Sequence, residues 1–562
     1  MKGCCTIFLN QRVESACRLA PLFFGRRHHF AGTSSAWQNS NDVHQSQWKN
    51  RGQQPRKQTI DKISSSKKKS KEATPKQQHV TSYTKPKSQQ FQAPFSVFIS
   101  CLPGLEPLLL KEVEYLHSHW SSNNDHKESK LSKGQPYILR GGVKLTVPSL
   151  HHLYILHLYV GTASHIYLRL NDDNVDGIPP LFRARGFPEL RRKVKDLIIS
   201  QRWDEWLTGH NGGNEKSLVN VQVHVTTSKS KLMHTKAIEE RMKQTIGELI
   251  PNIASDSNES DEATTKTVRL MTRIDRDVVQ LSLDSSLTPL HRRGYRLKPH
   301  RAPLREDLAY VLLMSGGLMP CWDLRSQFSN NSDESFAAVD SPLPSSRGTN
   351  RVLFDPFCGS GTIAIEGASL QLGLPPGRFH PPPMEGTSFC NPALWEEMKS
   401  KAMMSVSRAK QDDDLVYVAA GDIDPKALDA AKANAKRAGV DDCVDFIKGS
   451  FVSHPLLKQQ SKDGKKSNVL DDATQQSLLV VANPPYGKRL SPDGTKSTIY
   501  RKLANALLSS SSSRSIDCAI IGKDLRVMRE AGMPLDVAFS TKHGGLNVVA
   551  MAGSLPKPKD TS

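Results

Sequence analysis

Beyond residue 93 the chain alternates short apolar runs with amphipathic stretches, and the two periodicities separate strands from helices. Phe95–Cys101 reads as a strand, Glu106–Leu116 as an amphipathic helix, Gly142–Thr146 as a short strand and Leu150–Val160 as a helix. Ala163–Leu170 alternates like a strand with its polar residues outward. A further strand is predicted over 219–226, then a basic turn at 229–236 and a helix over Ala237–Leu249. Val268–Ile274 and Val278–Asp284 read as two strands around an Asp275-Arg276-Asp277 turn. From here the pattern changes. A helix at Ala302–Leu313 precedes three apolar strands, at 351–354, 416–421 and 478–482, with helical stretches between them. Polar stretches at 121–134, 252–266, 327–349 and 371–414 read as insertions. The pattern predicts an α+β module over 93–290 followed by an α/β, Rossmann-like domain over 298–556.

Three strand ends carry chemistry. After Leu478–Ala482 comes Asn483-Pro484-Pro485-Tyr486. An amide oxygen on Asn483 and the Pro484 carbonyl can accept the two hydrogens of a planar amino group, turning its lone pair toward an electrophile. Pro485 stiffens the loop, and Tyr486 offers a face on which a base can stack. Asn-Pro is also a common turn signal, so this corner needs a second. That second corner is Asp355-Pro356-Phe357-Cys358-Gly359-Ser360-Gly361-Thr362, a glycine turn between a strand and a helix, where backbone comes close to a ligand. The third strand-end feature is Asp422, in Gly421-Asp422-Ile423-Asp424-Pro425, with Asp424 predicted to cap a helix over Lys426–Arg437. The spacing from glycine turn to acid is far longer than the roughly 20 residues of a dinucleotide fingerprint. A dehydrogenase has no need of the Asn-Pro-Pro-Tyr corner. A methyltransferase using S-adenosylmethionine needs both.

The order of these three motifs resembles the class I amino-methyltransferases. More narrowly, the chain is similar to the THUMP-domain RNA guanine-N2 methyltransferases, above all the N-terminal half of the bacterial 23S rRNA enzyme. Supporting segments are Ser100–Glu106, His291-Arg292-Arg293-Gly294-Tyr295-Arg296, Ala302–Ala309 and Asn483–Leu490, and the likeness covers roughly 95–555. The resemblance implies that 93–290 is a ferredoxin-like plus THUMP module that binds RNA. It implies that Asp355, Pro356 and Gly359–Thr362 border the amino-acid part of S-adenosylmethionine, that Asp422 holds the ribose, and that Ser450 stands where many relatives use Asp to read the adenine. Asn483, Pro484, Pro485 and Tyr486 would hold the target base. Lys231, His234 and Lys236, then Arg292, Arg293 and Arg296, then Lys488 and Arg489, are the expected RNA contacts. The expected activity is methylation of guanine N2 in large-subunit rRNA. A tRNA substrate, a protein glutamine and adenine N6 are alternatives that use the same corner. The second methyltransferase module of the bacterial relative is expected to be absent, because the glycine corner does not recur.

Charge adds a partner and an address. Of the formal +20, residues 1–90 carry +13, which leaves +7 for the rest. A basic chain favours polyanions such as RNA, although the amino-terminal excess also suits a targeting segment. Residues 1–40 contain four Arg and one Glu and resemble an organelle transit peptide, mitochondrial before plastid. Residues 41–92 are predicted to be a disordered basic linker, whose Lys67–Lys71 run could also act as a nuclear signal. The partly apolar 153–170 stretch carries His157, His165 and Arg169, and no membrane insertion is expected. The nine cysteines lack Cys-x2-Cys repeats and the histidines lack metal-ligand spacing, so neither disulfides nor a metal are expected. Cys358 is read as a small packing residue.

Overall fold

The computed structural model describes residues 94–121, 134–207, 209–210, 216–217, 219–250, 266–297, 303–319, 351–409, 417–457, 477–485, 496–511 and 514–556. The predicted transit segment and linker lie outside them, as do the predicted insertion at 327–349, nearly all of those at 121–134 and 252–266, and Tyr486, Lys488 and Arg489.

The amino-terminal half is built on one sheet. Its strands are β1 (Phe95–Ser100), β2 (Tyr137–Leu139), β3 (Gly142–Val147), β4 (His165–Arg169) and β5 (Phe182–Arg183), then β8 (Val219–Ser228), β9 (Lys266–Asp275) and β10 (Val278–Asp284); a two-residue ribbon, β6 (Gly209–His210) with β7 (Lys216–Ser217), stands apart. The order is β2-β3-β1-β4-β10-β9-β8, with β5 on β10. Pairing is antiparallel except for β8 on β9. Helices Glu106–Ser121, Leu150–Tyr159, Phe187–Ser200 and Thr235–Leu249 accompany the sheet. Phe187–Ser200 has no counterpart in the sequence-based expectations, yet Leu190, Val194, Leu197 and Ile198 bury at helical spacing and Pro188 opens its first turn.

The carboxy-terminal half is a seven-stranded sheet: β11 (Arg351–Asp355), β12 (Val418–Asp422), β13 (Val444–Lys448), β14 (Ser477–Ala482), β15 (Ile516–Gly522), β16 (Asp536–His543) and β17 (Leu546–Ser554). Its order is β13-β12-β11-β14-β15-β17-β16; the first five run parallel, and β17 runs antiparallel to both its neighbours, β15 and β16. The chain winds outward from β11 in one direction to β13 and in the other from β14, so the strand order reverses between β11 and β14. A ligand crevice opens outside the carboxyl ends at such a point.

The Glu306–Ser315 helix joins the halves. Every residue from Glu306 to Leu313 is buried. Gly316 at its end sits against Leu479 of β14 and Ala519 of β15. On its other side Tyr310 leaves Gly161 no space for a side chain, because an added Cβ would lie 2.5 Å from its ring. The stretch read as an insertion at 371–414 is described over 371–409, and this part stitches the halves together. It contains the helix Pro392–Ala409 and a fully buried Trp395 packed edge-on against Tyr154. Met384 N donates to Ser285 O, Ser388 N to Trp206 O, and Asn391 N to Tyr154 Oη. Leu153, Leu283, Leu312, Leu353 and Trp395 belong to one continuous core spanning both halves.

Candidate active site

Asp355 ends β11, Asp422 ends β12, Ser450 follows β13 and Asn483 follows β14, so all four meet along one edge of the parallel sheet. Register places Phe354 beside both Ala419 and Val480, which brings Asp355, Asp422 and Asn483 to the same end. The three sequence-predicted corners therefore converge.

The glycine turn is shaped by its own backbone and by Asp422. Gly359 and Gly361 take φ of +53° and +85°, conformations that side chains disfavour. At Gly359 an added Cβ would meet open space, so the backbone there is accessible; at Gly361 it would meet Ala431 at 3.0 Å. Gly359 N donates to Asp422 Oδ2 at 2.9 Å, Asp424 N to Asp422 Oδ1 at 2.9 Å, and Cys358 N to Gly421 O at 3.0 Å. The acid is thus held by two amides at the rim of the turn. Asp424 caps the helix Pro425–Ala438 as expected, accepting from Lys426 N with Pro425 in the first turn. Gly449 N donates to Asp422 O, which ties the Ser450 turn to the same edge; Ser450 itself is exposed.

Asp355 is fully buried. Phe357 N donates to its Oδ1 at 3.2 Å, while its Oδ2 has no partner among the described residues. Burial is the main cause that pushes its carboxyl up to about 8, with the Asp422 charge adding to the rise. The Ser360 hydroxyl is also buried and unpartnered among the described residues. Cys358 is buried and its thiol is raised well above its ordinary range by desolvation, which suits packing rather than nucleophilic attack. Across the crevice, Asn483 Oδ1 is buried with no hydrogen-bond partner among the described residues, on the rigid pair Pro484-Pro485. Unsatisfied polar atoms on both sides of one crevice are what a polar ligand with donor groups would complete.

The expected RNA contacts divide. Lys231, His234 and Lys236 are exposed on the turn between β8 and the Thr235–Leu249 helix. Lys231 N donates to Asp277 Oδ1, which joins this turn to the β9–β10 turn. Arg276 is exposed there, and exposed Arg185 lies 3.4 Å from Asp277, with Arg183 two residues before it. Sequence reasoning missed these three arginines; their link to Lys231 runs through Asp277, and no local pattern displays it. Arg292 is exposed. Arg293 and Arg296 contradict the expectation of an RNA-facing role. Arg293 is 1% exposed, and it donates to Leu290 O at 2.8 Å and Gly161 O at 2.6 Å, with Glu366 Oε2 3.6 Å away. Arg296 turns inward to Leu304 O and Thr362 Oγ1, both at 2.8 Å. Their charges are consumed by carbonyls, a hydroxyl and buried acids.

Residues 345–544 match the family described as RMKL-like, methyltransferase domain. This region is a methyltransferase domain. The chain is 26% identical over 411 residues to the ribosomal RNA large subunit methyltransferase K/L of Marinomonas sp. (strain MWYL1), covering 73% of this chain and 46% of that relative. It thus spans about half the length of that relative. A possible methylase from Clostridium difficile 630 shares the fold at TM-score 0.57 and 21% identity, covering 83% of this chain and 99% of that one. SMU.472, solved complexed with SAH, also superposes at TM-score 0.57, with 18% identity over 83% of this chain and 100% of its own. The methyltransferase domain's cofactor is S-adenosylmethionine, and the crevice fits it: an accessible glycine backbone, an acid held at the rim, and a buried carboxyl oxygen awaiting a donor. Among the described residues no group of three His, Cys, Asp or Glu side chains is placed to hold a metal, and no helix is long and apolar enough to cross a membrane.

Proposed function

We propose that the chain methylates the exocyclic N2 of a guanine in RNA, with large-subunit rRNA as the substrate. The observation that carries this reading is the buried, unpartnered Asn483 Oδ1 at the β14 end, across the crevice from the glycine turn. An amino group entering there supplies one N–H to Asn483 and a second to the Pro484 carbonyl. Both acceptors are fixed before the substrate arrives, so little reorganisation accompanies transfer. S-adenosylmethionine, when bound, supplies an electrophilic methyl. The protein's part is alignment of the nitrogen with that methyl, and positioning alone can contribute several kcal/mol, roughly 7–11 in favourable cases. Tyr486, next in the sequence, is the candidate for stacking on the base.

The RNA half of the reading rests on the exposed turn of Lys231, His234 and Lys236, widened by Arg183, Arg185 and Arg276. A THUMP-type module would use this basic corner on phosphates, which fix register without reading sequence. The relative from Marinomonas, named for large-subunit ribosomal RNA, supports rRNA before tRNA. The arginine-bearing first 40 residues suit import into a mitochondrion.

The test is incubation of the purified protein with S-adenosylmethionine and protein-free rRNA or tRNA, followed by nucleoside mass spectrometry. N2-methylguanosine in rRNA is expected. Methyl on tRNA would move the substrate, and methyl on adenine N6 would overturn the choice of base. Asn483→Ala should lower transfer by about a hundred-fold or more while RNA binding persists.

A further inference from the structure

The segment His291–Arg296 grips the helix Thr362–Gln371 on two successive turns. Tyr295 Oη donates to Glu366 Oε1 at 2.8 Å, and Arg293 approaches the other carboxylate oxygen of Glu366 at 3.6 Å. One turn earlier, Arg296 Nη2 donates to Thr362 Oγ1 and Leu304 O, with Glu306 Oε1 3.4 Å away. Thr362 is the first residue of that helix and the last of the glycine turn. The other end of the grip lies in the amino-terminal half, where Arg293 Nη2 donates to Gly161 O. Gly361, which leads directly into Thr362, is closely packed: an added Cβ there would lie 3.0 Å from Ala431.

We infer that Arg296 is a positioning residue for the cofactor: through Thr362 it fixes the glycine turn in its binding geometry from a segment anchored on the amino-terminal half. Three features support this role over simple packing. The guanidinium makes its side-chain contact with the turn itself, rather than with the body of the helix. The contact is directional, one donor shared between a hydroxyl and a carbonyl, so a hydrophobe of equal size cannot replace it. The guanidinium also lies 3.4 Å from the buried carboxylate of Glu306, a charge partner on the neighbouring helix. The inference rests on the glycine turn being the cofactor's seat.

The experiment uses the full chain and S-adenosylhomocysteine as the probe, titrated calorimetrically, with melting temperature read in parallel. Arg296→Gln should weaken binding about ten-fold, the usual worth of a hydrogen bond to a charged group. Thr362→Val should do the same, and Thr362→Ser should bind like the parent. The double variant Arg296→Gln/Thr362→Val should be no weaker than either single one, because both remove the same contact. In turnover, KM for S-adenosylmethionine should rise with kcat within about two-fold. Unchanged affinity in Arg296→Gln with a retained melting temperature would overturn the inference. So would additive losses in the double variant, which would mean that Thr362 touches the cofactor independently. If Arg296→Gln does not fold, the Thr362→Val and Thr362→Ser pair decides: equal affinity in the two overturns it. Failure of the parent protein to bind the probe would instead remove the cofactor seat itself.

Discussion

If the crevice at the β11 end seats the cofactor as proposed, Asp355 gives it a pH signature. Its carboxyl is pushed up to about 8 from an ordinary 3.8, first by burial and then by the Asp422 charge, and its Oδ2 has no donor among the described residues. At pH 7 about nine in ten ligand-free molecules therefore carry Asp355 protonated. S-adenosylhomocysteine brings an ammonium group, and a cation seated against Oδ2 favours the ionised form, so binding expels a proton. Between about pH 5 and pH 8 the dissociation constant should fall close to ten-fold per pH unit, or about 1.4 kcal/mol per unit, and level off above. Calorimetry in two buffers of different ionisation enthalpy should count nearly one proton released at pH 6.5. In Asp355→Asn the slope and the released proton should both vanish. The same group acts on stability in the opposite sense. An acid whose folded pKa lies above its unfolded one stabilises the ligand-free fold below about pH 4, and that contribution is lost as the pH rises through about 8. The ligand-free melting temperature should decline over that window, and less steeply in Asp355→Asn. A pH-independent affinity in the parent, or an equal slope in the Asn variant, would refute the assignment.

Other perturbations separate the roles of the arginines and of the joint. Arg293→Met removes a buried cation from Glu366 and two carbonyls, and should lower stability by about 3–5 kcal/mol in urea unfolding, with RNA affinity per folded molecule unchanged. The double charge reversal Lys231→Glu/Arg276→Glu should weaken RNA binding and flatten its salt dependence, read as the slope of log affinity against log salt, with stability close to the parent's. Gly104→Ala places a Cβ against the Ser540 carbonyl of β16 at a φ of +90°, and should cost at least about 1 kcal/mol in the same urea assay.

The three strand-end corners are legible in the sequence because each is local. Asp355–Thr362, Asp422 and Asn483–Pro485 announce themselves within eight residues, and parallel strands deliver them to one edge. The Asp424 cap and the Asp275-Arg276-Asp277 turn were readable for the same reason; Arg276 and Asp277 take the φ of +51° and +64° that a tight hairpin needs. The His-Arg-Arg-Gly-Tyr-Arg segment was misjudged because its partners are remote. Gly161 lies 132 residues from Arg293 and Glu366 lies 71 from Tyr295, so a charge pattern alone looked like a nucleic-acid surface. The 371–414 stretch reads as an insertion because prolines and polar residues interrupt its periodicity. Its core role is carried by scattered residues such as Trp395, Met384, Met398 and Arg378, all buried, which no regular spacing links.

Neither half owns a finished inner face. Tyr154, Trp206 and Ser285 supply hydrogen-bonding atoms to a loop that enters from about 100 to 240 residues downstream, and Tyr310 rests on Gly161. A chain severed near residue 290 would leave an apolar wound on each fragment, so the parts are poor candidates for separate expression. Modular exchange is closed to such a molecule as a route to new targets. Its repertoire can drift only by recolouring the outward turns, while the seam stays as it is.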